Sequence, residues 1–299
     1  MVSIKDSPPP AAADGCRDYP WAFAKLDAFP PHGVPMSDSP AATPILSTTD
    51  GGVLTLRFNR PDKKNAILQS MYSALADSIN AAASDPSVRV LVIAGGTDAF
   101  SAGNDMVDFM KAAQAGGSGG DSPTIRFMNA LAAFPKPVLA AVNGLAIGIG
   151  VTLLLHCDLV YAGENARFTM PFVNIGIVPE YASTYLMPRI MGHARAMEMV
   201  LFGEPFTAAH ARECGMVNEV LPDADVEARV AERAKKLAQQ PPNAIRTCKK
   251  LMKRWTEKTV TEAIPIESFH FGPMLSKPEA QEAIGAFLQK RKPDFSKFS

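Results

Sequence analysis

Ala140-Ala-Val-Asn-Gly-Leu-Ala-Ile-Gly-Ile-Gly-Val-Thr-Leu-Leu-Leu-His-Cys-Asp158 starts apolar, passes Gly144, Gly148 and Gly150, and ends in a second apolar run. The pattern predicts a buried strand, a tight turn and a buried helix. A helix start leaves N–H groups unpaired and carries partial positive charge. Such a point suits an oxyanion that develops during a reaction. Glycines at strand–helix turns also serve chain reversal and packing alone.

A second turn of the same kind lies upstream. Val88-Arg-Val-Leu-Val-Ile-Ala94 reads as a buried strand, and Phe100-Ser-Ala-Gly-Asn-Asp-Met106 as a loop entering a short helix. Two glycine-bearing turns aimed at one carbonyl oxygen would make a two-donor oxyanion hole. Ile45-Leu-Ser and Val53–Phe58 are expected as strands about a turn at Asp50-Gly51-Gly52, with Leu54, Leu56 and Phe58 on one face. Met71, Leu75, Ile79 and Ala83 recur at helical spacing in residues 69–84. Ser122-Pro123 caps another helix, ended by Phe134-Pro-Lys-Pro137, and Asp158–Ala162 is one more strand. Strands alternating with helices over 45–162 imply parallel pairing with helical crossovers. Beyond residue 181 the chain reads as helix: Val226–Gln240, Asn243–Trp255, Val260–Phe271 and Pro278–Arg291.

The expected organisation is an extended or disordered segment at 1–42, rich in proline and alanine, an α/β core at 43–240, and a helical region at 241–299. Gly116-Gly-Ser-Gly-Gly120 reads as a flexible connection. Thirty basic and thirty acidic residues balance, so no nucleic-acid or anionic-membrane partner is indicated. No apolar run reaches the length of a membrane span. Four scattered cysteines and five scattered histidines, without C-x-x-C or H-x-x-x-H spacing, suggest reduced thiols and no metal site. The only G-x-S-x-G match, Gly116–Gly120, reads as the flexible connection and not as a strand-to-helix elbow, which disfavours a Ser-His-Asp hydrolase.

Phe100–Met106 and Asn143-Gly-Leu-Ala-Ile-Gly-Ile-Gly150 resemble the two signature segments of the crotonase superfamily, the enoyl-CoA hydratases and isomerases. Asn59-Arg60-Pro61, Asn65-Ala66, Cys157-Asp158 and Phe287-Leu-Gln-Lys-Arg-Lys-Pro293 extend the resemblance over about residues 45–293. It implies an α/β fold, a spiral of ββα units followed by helices that mediate trimers, often paired into hexamers. It implies an acyl-CoA substrate and no cofactor, with the N–H groups of Asn104 and Ile149 as oxyanion donors. CoA would be cradled by the Arg60–Ala66 loop with Lys63 and Lys64, and by backbone around Ala102, Gly103, Asp105 and Met106. Gly148 and Gly150 would shape the second turn, and Lys290 and Lys292 could reach a neighbouring subunit. Lys63 and Lys64 read equally well as a solvated surface loop.

In the hydratases two glutamates hold the attacking water. The resemblance puts Thr152 and Phe172 at those positions here, and neither can activate water. Glu180, in Val178-Pro-Glu-Tyr-Ala-Ser183, is flanked by apolar residues that would raise its pKa. It could also be a glutamate in the first turn of a helix, favoured there by the dipole. Gly150-Val-Thr-Leu-Leu-Leu, Pro171-Phe172 and Pro179-Glu180 resemble the delta-3,delta-2-enoyl-CoA isomerase branch, in which one glutamate shuttles a proton. The expectation is a 3-enoyl-CoA to 2-enoyl-CoA isomerase with Glu180 as the base, and with Phe172, Ile175 and Ile177 either along the acyl channel or plain core residues. Another crotonase-type reaction, such as hydration, and a catalytically silent acyl-CoA-binding subunit remain the alternatives. The ending Lys297-Phe-Ser299 does not match a peroxisomal tripeptide, and a cytoplasmic protein is expected.

Overall fold

The computed structural model describes residues 43–114, 122–289 and 291–298. The proline-rich residues 1–42, the Gly116–Gly120 connection and Lys290 lie outside the described residues. The chain begins with a hairpin, β1 (Ile45–Asp50) and β2 (Val53–Phe58), in antiparallel register from Ile45↔Phe58 to Asp50↔Val53. Leu54, Leu56 and Phe58 are buried, as their alternation demands. There follow α1 (Gln69–Ser84), β3 (Val90–Ala94), β4 (Ala99–Ser101), α2 (Met106–Gln114), α3 (Pro123–Ala132), β5 (Val138–Val142), β6 (Leu145–Ile147) and α4 (Ile149–Thr152). Ser122 caps α3 by accepting the Ile125 N–H. Next come β7 (Leu159–Gly163), β8 (Arg167–Thr169), α5 (Ser183–Met191), α6 (His193–Phe202), β9 (Phe206–Thr207), α7 (Ala208–Glu213) and β10 (Glu219–Leu221). The helices α8 (Val226–Ala238), α9 (Pro242–Met274) and α10 (Pro278–Leu288) complete the chain.

These strands form two mixed sheets, ordered β1-β2-β3-β5-β7-β10 and β4-β6-β8-β9. Pairing is parallel from β2 to β10, and β4, β6 and β8 are parallel to one another. The chain visits the sheets alternately: β3 then β4, β5 then β6, β7 then β8. Strands β3 and β5 are buried along their whole length, as central parallel strands covered on both faces must be. Val90, Val92, Leu139 and Tyr161 on one face of the larger sheet pack under Val226, Val230 and Ala234 of α8. The opposite face joins the main core with α1, α3 and the second sheet. Among the described residues no helix is long and apolar enough to cross a membrane.

Three sequence expectations need correction. The Ala140–Asp158 stretch contains an extra strand, β6, and its helix is one short α-turn followed by a 3-10 segment, Leu153–His156. Strands β6, β8, β9 and β10 have two or three residues each, too few to show a two-residue period. Residues 243–255 and 260–271 are not separate helices but parts of the 33-residue α9. The apolar stripe lapses at Thr256–Thr259 because the helix runs there through solvent or half-buried, and a helix face in water needs no stripe.

Candidate active site

The site is built where the smaller sheet ends. Strands β4 and β6 pair with Ala99 opposite Leu145 and Ser101 opposite Ala146. Asn104 lies three residues past Ser101, and Ile149 three past Ala146, so the two turns leave the sheet side by side. They also interlock. A Cβ on Gly103 would sit 2.9 Å from the Ile147 carbonyl oxygen, and one on Gly150 would sit 2.9 Å from the Ser101 carbonyl oxygen. Only glycine permits this backbone approach.

The hydrogen bonds of each turn pass over N–H groups at its tip. Ile67 N–H donates to Gly103 O, and Asp105 N–H donates to Ile67 O, which passes over Asn104. Gly148 N–H donates to Thr169 O, and the Val151 and Thr152 N–H groups donate to Gly148 O, which passes over Ile149 and Gly150. Ile149 opens α4 and is buried, so its side chain faces the core while its N–H stands at a helix start.

The loop at Arg60–Ala66 lies against the first turn. Arg60 Nη1 donates to Ala66 O and to Asp105 Oδ2, both at 2.9 Å, and Ala102 N–H donates to Lys64 O. Arg60, Ala66, Ala102, Gly103 and Asp105 are therefore brought together, with Met106 opening α2 beside them. Lys63 and Lys64 stand exposed on the rim. Lys292 is exposed near the end of the described chain, and no contact joins it to this group.

Glu180 is buried but not helical: it precedes α5, which starts at Ser183. Its Oε1 has no hydrogen-bond partner among the described residues, and neither has the buried Thr152 Oγ1. Burial, and then the charge of Glu267, push the Glu180 carboxyl up to about 8. Tyr72 lies within electrostatic reach of this carboxylate and bonds the first turn. Its hydroxyl donates to Asn104 Oδ1 at 2.6 Å, and burial, then the Glu180 charge, hold that hydroxyl well above the usual tyrosine range. Phe172 is buried edge-on against Phe271, with Ile175 half-buried in the 3-10 turn that follows.

Five residues to which the sequence assigns no role hold this arrangement. Tyr72 is one. Tyr181 and Ala182, directly after Glu180, both have left-handed backbones, φ 64° and 55°. His156 stacks on the Tyr181 ring at 3.8 Å, and its Nε2 bonds the Tyr181 carbonyl oxygen. Burial pushes that imidazole down to about 3, so it is neutral and donates. Glu267 had a legible signal: Val260, Ile264, Glu267 and Phe271 form the buried stripe of α9, and a carboxylate interrupts it.

The family model for enoyl-CoA hydratase/isomerase matches residues 48–297. Rat enoyl-CoA delta isomerase 2 is 41% identical over 223 residues, covering 74% of this chain and 56% of the rat protein. The chain thus spans little more than half the length of that relative. The 2,3-dehydroadipyl-CoA hydratase of Escherichia coli is 37% identical, covering 81% of this chain and 94% of the relative. A crystal structure of enoyl-CoA hydratase/isomerase from Pseudoalteromonas atlantica superposes with a TM-score of 0.80 at 36% identity, covering 85% of this chain and all of that one.

Proposed function

The chain belongs to the crotonase (enoyl-CoA hydratase/isomerase) family and has its α/β fold, and we propose that within it this protein is an enoyl-CoA isomerase that moves a 3-enoyl-CoA double bond into conjugation. The carrying observation is Glu180, a buried carboxylate with an unpaired oxygen and a raised pKa, within electrostatic reach of the Tyr72 hydroxyl that bonds Asn104. The thioester oxygen accepts the N–H groups of Asn104 and Ile149. That lowers the cost of removing a proton from C2, and each such donor is worth about 3–4 kcal/mol in the transition state. Glu180 takes the C2 proton, a dienolate forms, and Glu180 returns the proton to C4. Its pKa near neutrality suits a group that both takes and gives. Arg60, Lys63, Lys64 and Ala66, with backbone at Ala102–Met106, hold the CoA portion. Phe172 and Ile175 line the acyl channel. Met252, Trp255 and Phe269, large apolar side chains exposed on α9, support assembly as trimers or as paired trimers. We place the protein in the cytoplasm.

Water addition to a 2-enoyl-CoA is the second reading, favoured by the 37% identity to the Escherichia coli hydratase. Against it, the resemblance puts Thr152 and Phe172 where hydratases carry carboxylates. Purified protein supplied with 3-enoyl-CoA should form the conjugated product, followed by its absorbance. Glu180→Gln should lower kcat about 10²–10⁴-fold without unfolding the chain. Wild-type turnover in that variant, or faster hydration than isomerisation in the parent, overturns the assignment.

A further inference from the structure

Glu180 sits on a backbone that would not hold its shape unaided. Tyr181 and Ala182 are left-handed, a conformation that costs about 1–2 kcal/mol per non-glycine residue. The stretch is held from three directions. Tyr181 Oη donates to Met128 O at 2.9 Å, and His156 bonds the Tyr181 carbonyl. The third hold comes from α9. Glu267 Oε2 accepts the Ala182 N–H at 2.6 Å, and its Oε1 accepts the Thr184 N–H at 3.0 Å and the Thr184 hydroxyl. Both carboxylate oxygens accept, the pattern an ionised Glu267 makes.

We propose that Glu267 is a positioning residue for the reaction: an ionised carboxylate brought by α9 to fix the backbone behind Glu180 and to keep Glu180 basic. The inference rests on Glu180 being the proton shuttle. The electrostatics agree with the geometry. Glu180 is acted on by burial and by Glu267, with the neutral hydroxyls of Tyr72 and Tyr181 as its other titratable neighbours. Burial raises the Glu267 carboxyl, and the Thr184 and Ala182 bonds oppose that rise. Among the described residues no cation shifts either carboxylate. The Glu267 charge therefore reaches Glu180 without a counter-ion between them, which makes Glu180 a stronger base once ionised.

The test compares the full chain with Glu267→Gln and Glu267→Asp, using 3-enoyl-CoA turnover against pH. Glutamine removes the charge and sets an amide against the N–H donors. It should lower kcat about tenfold to hundredfold with KM nearly unchanged, as misplacement of a reacting group does. It should also move the acidic limb of kcat/KM to lower pH, because Glu180 loses a neighbouring negative charge. Aspartate keeps the charge, so the limb should return toward its parental position while kcat recovers in part. A lower melting temperature with an unmoved limb and unchanged kcat would make Glu267 merely structural and overturn the proposal. Should Glu267→Gln fail to fold, Thr184→Val decides: removing one donor to Glu267 should lower kcat several-fold at constant KM, and unaltered kcat counts against the proposal. Failure of the isomerase reading shows separately, as a parent with no turnover. Glu180 is then titrated directly by carboxyl infrared difference between the parent and Glu180→Gln, repeated in the Glu267→Gln background. An unshifted Glu180 there overturns the positioning role by itself.

Discussion

Two stretches of this chain place consecutive non-glycine residues in the left-handed region: Lys64–Asn65, φ 49° and 56°, and Tyr181–Ala182, φ 64° and 55°. The first belongs to the loop packed against the Ala102–Asp105 turn, the second to the segment that presents Glu180. They solve the same conformational problem differently. Asparagine tolerates this region because its side chain bonds locally. Asn65 Oδ1 accepts the Arg60 N–H at 2.8 Å, its Nδ2 donates to Ala99 O, and its carbonyl accepts from Ser101 Oγ. Tyrosine and alanine have no such tolerance. Their shape is imposed by Met128, His156 and Glu267, from three distant elements. The Asn65 stretch is held by its own asparagine, bonded once within the loop and twice to the neighbouring β4. A remotely held stretch keeps its shape only while the rest of the fold is in place.

The sharpest break of this contrast is Asn65→Ala. It leaves the Arg60 N–H unpaired, takes one of two donors from the Ala99 carbonyl and puts alanine in a left-handed site, so stability should fall by about 2–4 kcal/mol in chemical denaturation. KM for the CoA ester should rise while kcat, per folded molecule, holds. If kcat falls and KM does not, the two stretches are not functionally separate.

A second effect concerns the buried charge that the Tyr181–Ala182 stretch presents. The folded pKa of Glu180, about 8, lies above its ordinary value of 4.5. Such a group contributes stability fully at pH values below 4.5, and the contribution is lost as pH rises through about 8. Glu180→Gln should therefore gain stability over the parent as pH rises through that window, by about 1 kcal/mol or more. Parallel melting curves from pH 5 to 9 check it, and a pH-independent difference would contradict it.

Tyr181→Phe cuts one of the three remote holds. It should cost about 1 kcal/mol and several-fold in kcat at constant KM. Steady-state kinetics that match the parent would mean the other two holds suffice. The smallest effect discriminates most cleanly. Glycine at Lys64 or at Ala182 relieves the left-handed strain but loosens the unfolded chain, so each should change stability by about 0.5 kcal/mol or less. Only Ala182→Gly should lower kcat, because only that backbone carries the base.

The same contrast explains what was legible in the sequence. The Asp50-Gly51-Gly52 hairpin, the cap at Ser122, the apolar faces of α1 and α8 and the burial of β3 and β5 all follow from local residue order. So do the two glycine turns, whose interlock needs glycine at positions 103 and 150. The three-residue strands did not show, because pairing with neighbours defines them and their own composition does not. The merged α9 did not show because a solvated helix turn looks like a linker. Glu180 was visible as a carboxylate among apolar residues, but its support was not. Nothing near Tyr181 announces that His156 stacks upon it. Glu267, however, stood in plain view as the one charge in a buried stripe.

The bond from Glu267 to Ala182 crosses 85 residues of chain. Chains emerge from the ribosome N-terminus first and fold as they come. A nascent chain released as far as α8 holds every strand of both sheets, both glycine turns and Glu180 itself, yet lacks the carboxylate that ties down Ala182. On the proposed role of Glu180, α9 is the element that supplies this hold on the base, and it is made after the base and both sheets.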